Sequence, residues 1–254
     1  TRRVRLPILW HVLGHGGSST MAQRQELLNR FIALFGKRSI KLLLADREFI
    51  GGQWFDFLVK SGIPFSIRVR GDLNVRLGDG YEGPVGRLAS THFGRRRLMQ
   101  AKGCFENMDK RFEAALCFAA TKLPDESLLI LAASLSPRKA LKAYRKRWQI
   151  ECLFSDTKTR GFNMEDTRLT QAGKLSLLLG LVALAMAWSA ACASAIKGRQ
   201  DIQRASHGYR RKSWFRTGFD TLRHWINAQP DRAITSWDQL WKRVGKPVRD
   251  RRVV

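Results

Sequence analysis

Apolar residues along this chain come in two textures. Some stretches repeat an apolar position every three or four residues, as a helix with one buried face does. Met21 to Phe35 is of this kind, with Leu27, Leu28, Phe31, Ile32, Leu34 and Phe35 in phase. Ser19 or Thr20 stands where a cap is expected, and Gly36 where the helix ends. Other stretches are short and almost wholly apolar. Ile40 to Ala45 reads as a strand buried on both faces, with Asp46 directly after it. A helix is expected over Gly52 to Ser61 and a strand over Pro64 to Val69. Arg5 to Val12 reads as a further strand, with Pro7 placing it at an edge or bulge. This strand–helix–strand alternation predicts an α/β layer.

From Gly71 to about Thr121 glycines are frequent and apolar runs are short. The pattern predicts a β-rich insertion carrying a basic cluster at Arg95, Arg96 and Arg97. Leu128 to Ala133 is a buried strand candidate. Ser136 and Pro137 then open a helix expected to run to about Arg160, with Gly161 as its stop. Leu175 to Ile196 carries no charge and is long enough to span a bilayer. Its Ala, Ser and Gly content and the polarity of the rest of the chain favour a core helix buried on most sides. Beyond Lys197 arginines interleave with Trp214, Phe215, Phe219, Trp225, Trp237 and Trp241. The expected divisions are a partial core over 1–70, the insertion over 71–127, a second core segment over 128–196 and a basic C-terminal region over 197–254.

Composition changes the picture through charge. Lys and Arg number 46 and Asp and Glu 21, a net charge of +25 and a pI near 11.1. A globular chain this basic points first to a polyanion, and among polyanions to nucleic acid. Its 44% hydrophobic residues and 8 Trp exclude wholesale disorder. Cys104, Cys117, Cys152 and Cys192 lack the paired spacing of a zinc ribbon or a disulfide framework, which fits a reducing compartment. His11 and His15 stand four apart with no further ligand nearby, too few for zinc.

The sharpest chemical pattern is Tyr144, Arg147, Glu151 and Lys158, at offsets of 0, 3, 7 and 14. On one continuous helix these fall within about 60° of arc. A solvated ion-pair face meets the same spacing. A carboxylate beside cations and a phenol also suits metal-dependent phosphoryl transfer, the carboxylate holding a hard dication and the cations holding phosphate. Asp46, at the end of a buried strand, is the natural second carboxylate, because ligands gather at the carboxyl ends of strands in α/β sheets.

The Y-x2-R-x3-E-x6-K pattern of these four residues resembles the signature of DDE transposases of insertion-sequence family 4. Leu42 to Gly51 (LLLADREFIG) resembles that family's second-Asp strand. The similarity extends over most of residues 5 to 196. It implies an α/β, RNase H-like core with a β-rich insertion before the Glu-bearing helix. It also implies cleavage and joining of double-stranded DNA at transposon ends with Mg2+ or Mn2+. Carried over, Asp46 and Glu151 are the metal ligands and catalytic carboxylates, while Tyr144, Arg147 and Lys158 contact DNA. A homodimer in a synaptic complex, a bacterial cytoplasm with nucleoid association, and no membrane are implied as well.

Two features depart from that pattern. The family's first Asp precedes the segment resembling Arg5 to Trp10, yet upstream of Asp46 the only acid is Glu26, on an expected helix. The chain begins at Thr1 without an initiator Met, so an N-terminal truncation is expected, and with it a polypeptide inactive or nearly so by itself. A non-catalytic DNA-binding or interfering fragment is the alternative. Some relatives also use a Trp in the insertion to stack on a flipped base. No Trp lies between Trp54 and Trp148, leaving Phe105, Phe112 and Phe118 as substitutes. Arg210, Arg211 and Lys212, beside Trp214 and Phe215, are expected at DNA, and the tail arginines Arg249, Arg251 and Arg252 in solvent.

Overall fold

The computed structural model describes residues 5–78, 80–92, 101–107, 110–111, 115–158, 161–198, 200–206 and 208–244, without the side chains of 91, 92, 101–107, 110, 111, 243 and 244. Arg95, Arg96, Arg97, Phe112, Arg249, Arg251 and Arg252 lie outside the described residues, as does the side chain of Phe105. The chain divides into two compact units, His15–Trp148 and Thr1–Gly14 with Gln149–Val254.

The first unit opens on α1 (Met21–Phe35). Thr20 caps it. Gln23 N donates to Thr20 Oγ1 at 3.3 Å, and Thr20 N donates to Gln23 Oε1 at 2.8 Å. This reciprocal pair satisfies two backbone donors that helix geometry leaves unpaired. Thr20→Ala is expected to cost about 1 kcal/mol. A denaturant midpoint equal to that of the parent chain would show that the cap contributes nothing.

Strand β1 (Leu43–Ala45), α2 (Gly52–Lys60) and β2 (Phe65–Val69) form a parallel crossover, with Leu44 opposite Ser66. Helix α2 turns Trp54, Phe55 and Leu58 inward, and the Phe55 and Phe65 rings lie 5.5 Å apart. The remaining strands are β3 (Asn74–Leu77), β4 (Glu82–Pro84), β5 (Ala101–Asn107), β6 (Lys110–Arg111), β7 (Leu116–Lys122) and β8 (Leu128–Ala133). They continue the sheet in the order β1-β2-β8-β7-β5-β3-β4, with β6 on β5, and every pairing beyond β1–β2 is antiparallel. The result is a mixed sheet whose parallel edge bears Asp46.

Helix α3 (Val85–His92) sits inside the stretch read as all β. Val85, Leu88 and Ala89 point inward at one-turn spacing. The turn into it needs glycine. Gly86 N donates to Gly71 O at 2.7 Å, and a Cβ at 86 would lie 2.7 Å from the same oxygen. Phe118, a candidate base-stacking residue, is wholly buried in the core of this unit and has no exposed face to offer.

The helix expected from Ser136 to Arg160 is interrupted. Helix α4 (Pro137–Tyr144) passes into a 3-10 turn at Arg145–Arg147, and α5 (Trp148–Thr157) follows. Arg138, Lys142 and Lys146 repeat at i, i+4 spacing, where like charges oppose a regular helix. The tighter turn directs Arg147 toward β1, as described below.

In the second unit, residues 5–13 are irregular rather than a strand. Pro7 supplies no N–H to a ladder. The segment is held by side chains instead. Leu6 packs with Val182 and Met186, and Trp10 Nε1 donates to Ser176 Oγ at 3.0 Å. Helices α6 (Ala172–Lys197), α7 (Trp214–Ala228) and α8 (Pro230–Val244) complete this unit. Trp214, Phe215, Leu222 and Trp225 of α7 are buried. Trp214, Phe215 and Trp225 thus build a helical core while Trp241 stays exposed, and Trp214 and Phe215 are not DNA-facing partners of Arg210–Lys212.

Helix α6 is the one helix among the described residues long and apolar enough to cross a membrane, with a mean hydropathy of 2.1 over its best window. Burial on most sides is not what it shows, since 22% of that window is buried. Val182, Met186, Ser189, Cys192 and Ala193 form its inward stripe. Leu177, Leu181 and Leu184 stay exposed, with Leu177 at 68%.

Candidate active site

Asp46 follows the last residue of β1, at the carboxyl end of the strand. Arg47 N donates to its Oδ1 at 2.8 Å, so the carboxylate caps the short turn Arg47–Phe49. Its Oδ2 lies 3.3 Å from Arg147 Nη1. Capping and ion pairing therefore share one side chain.

Arg147 closes the 3-10 turn after α4. Its guanidinium carbon stands 5.8 Å from the centroid of the Tyr144 ring, within cation–π range. Tyr144 is 7% exposed, and its hydroxyl is buried without a hydrogen-bond partner. Burial pushes this phenol up to about 12, with the Arg147 charge pulling the other way. A buried hydroxyl left unpaired costs stability, roughly 1–3 kcal/mol. The hydroxyl is thus a buried donor without an acceptor, beside a guanidinium.

Asp46, Tyr144 and Arg147 thus come together within the first unit. Glu151 and Lys158 belong to the second. Glu151 lies in the first turn of α5, and Lys158 Nζ pairs with Glu165 Oε1 at 2.6 Å. In place of the single helix expected, Tyr144 ends α4, Arg147 closes the 3-10 turn, Glu151 lies on α5 and Lys158 follows its end. Asp156 was not among the expected site residues. It is 6% exposed on α5 and sits 3.6 Å from Arg5. Its i+3 spacing from the inward-facing Leu153 was the available signal that α5 buries a charge.

Among the described residues no three metal-capable side chains gather. Magnesium takes one or two carboxylates and fills its remaining positions with water and substrate phosphate. Asp46, an accessible oxygen donor at a strand end, fits one such position once Arg147 releases Oδ2.

The model of the transposase DDE domain family matches residues 4–188, well over half of the 254 residues. Comparison with curated proteins yields no match. The matched span holds Asp46, Tyr144, Arg147, Glu151 and Lys158, and the chain belongs to the transposase DDE domain family.

Proposed function

We propose that the chain is a transposase polypeptide of insertion-sequence family 4 that binds double-stranded DNA at element ends. The observation carrying this is the Asp46–Arg147–Tyr144 cluster at the carboxyl end of β1, inside the matched family segment. Parallel β1–β2 with antiparallel β8 beside them supports an RNase H-like core. Strands β3 to β7 would then be its insertion between the second Asp and the Glu.

Asp46 and Glu151 are the residues that would hold divalent metal. A divalent metal held there would supply activation of the attacking hydroxyl and charge stabilisation of the leaving oxygen. The chain's own groups bind and orient. Arg147 holds a backbone phosphate after leaving Asp46, the Tyr144 hydroxyl donates to a phosphate oxygen, and Lys158 adds a second cation after exchanging Glu165 for DNA. Pairing of two copies across two ends and a nucleoid location in the bacterial cytoplasm go with this reading.

Cleavage needs a fuller set of carboxylates than this polypeptide presents. Ahead of Asp46 its sole acid is Glu26, exposed on α1 and not at a strand end. Strand cleavage of a duplex substrate with Mg2+ is therefore expected at background level. The same feature favours a second reading, a DNA-binding fragment that interferes with intact transposase. Robust metal-dependent nicking by the purified chain would overturn the expectation of inactivity.

Binding should persist without cleavage and should weaken steeply with salt, because phosphate contacts release counterions. Arg147→Ala and Lys158→Ala are expected to weaken binding to element ends more than to random duplex. Equal losses on both DNAs, read by fluorescence anisotropy, would take these residues off the active-site face.

A further inference from the structure

The family match stops at residue 188, yet much of the exposed charge lies beyond it. Residues 203–206 and 208–211 pair as the two arms of a small hairpin. Arg204 bridges Arg210 in antiparallel fashion. Arg211 N donates to Gln203 O at 2.9 Å, Ala205 N to Tyr209 O at 2.8 Å, and Gly208 N to Ala205 O at 2.9 Å. Gly208 takes a φ of 81°, a conformation L side chains rarely adopt. The base of the hairpin is anchored by Ile202, buried with Ala193 and Trp214.

Its chemistry is one-sided. Tyr209 is 76% exposed, and Arg204, Arg210, Arg211 and Lys212 are exposed around it. Asp201 pairs with Arg210 at 2.9 Å, while Asp220 takes both Lys212 at 2.7 Å and Arg216 at 2.9 Å. Five cations thus face two carboxylates. Arg204 Nη1 donates to Gly208 O at 2.9 Å, and Arg211 has no ion-pair partner among the described residues. Like charges directly across a strand pair destabilise it. Asp201 offsets the charge of Arg210 but not that of Arg204 across from it, and an anionic partner would complete that compensation.

We propose that the 203–211 hairpin is a second DNA-binding element, outside the family domain, that grips the backbone of duplex DNA through Arg204, Arg211 and Tyr209. The positive surplus supplies the attraction. Arginine and tyrosine are both regular phosphate donors. The inference rests on the reading of the chain as DNA-acting, but it uses none of the active-site residues.

The test is anisotropy titration of a random duplex over a range of salt, with the full chain and Tyr209→Ala/Arg211→Ala. Loss of the Arg211 cation should make the salt slope shallower by roughly 1 unit, and loss of both contacts should weaken affinity about tenfold. Arg211→Lys should keep the slope, since the charge remains. Both replaced side chains are exposed, so an unchanged thermal melt is expected to accompany the loss. Duplex binding by the parent chain with no change in the double variant would overturn the proposal. If Arg147→Ala loses binding while the hairpin variant does not, the hairpin inference alone falls. If the parent chain binds no duplex at any salt, the DNA-acting reading falls with it. Loss of binding to anionic lipid vesicles, with duplex binding intact, would assign the hairpin to a membrane surface and overturn the proposal as well.

Discussion

Gly218→Ala is expected to destabilise the chain by about 2–3 kcal/mol and to lower its melting temperature by roughly 5–10 °C. Helix propensity alone predicts the opposite sign, since alanine inside a helix is better than glycine by about 1 kcal/mol. Packing decides. A Cβ at 218 would overlap the Ser189 carbonyl oxygen of α6, with the carbonyl carbon at 2.6 Å and the Ala193 Cβ at 3.0 Å. The obstacle is backbone, so no rotamer change relieves it, and α7 would have to move away from α6. That movement would unseat Trp214, Leu222 and Trp225, which are buried on α7. Gly180→Ala is the matching control on α6. There a Cβ meets only the Trp10 ring, at 3.8 Å, and the propensity gain should appear as a small rise in stability. Thermal unfolding followed by circular dichroism reads both. A Gly218→Ala chain as stable as its parent would mean that the two helices do not approach this closely.

Much of the fold was legible wherever a local signal and the tertiary demand agree. The expected bounds of α1 and β8 coincide with the observed ones, because capping, apolar phase and glycine stops all lie within a few residues. Elsewhere distant partners decide. Residues 5–12 looked like a strand by composition, but Pro7 withholds a donor, and their side chains are used by Ser176, Val182 and Met186 of α6. Helix α3 was missed because eight residues with three inward positions carry little periodicity. Its clearest cue was the pairing of Gly71 with Gly86, which no local window joins. The site divides the same way. Asp46 was singled out by its place after a buried run, and Tyr144 and Arg147 by their spacing. That Arg147 reaches the Asp46 carboxylate, and that the Tyr144 hydroxyl is left without a partner, depend on a strand and a turn about 100 residues apart.

Tyr144→Phe should separate stability from binding by moving them in opposite directions. At neutral pH the substitution removes a buried hydroxyl with no partner and is expected to stabilise the chain by about 1 kcal/mol. It also removes the pH dependence attached to that phenol. An unfolded tyrosine ionises near pH 10, whereas burial holds Tyr144 neutral up to about 12. The folded-state value is the higher one, so its stabilising contribution is complete below pH 10. It is then lost as pH rises through 12. About two units correspond to roughly 2–3 kcal/mol. The parent chain should therefore lose this much more stability than Tyr144→Phe between pH 10 and 12, when the two are compared by denaturant unfolding. Other groups titrating in that window cancel in the comparison. Binding should move the other way. A hydroxyl donating to a phosphate oxygen makes a hydrogen bond to a charged group, worth about 1.5–3 kcal/mol. Tyr144→Phe should accordingly bind element ends at least about tenfold more weakly while melting at a higher temperature. A variant that gains stability and keeps its full affinity for DNA ends would show that the hydroxyl serves no phosphate. The anion-binding role would then rest on Arg147 alone. A variant that loses both would show instead that the hydroxyl has a partner inside the fold.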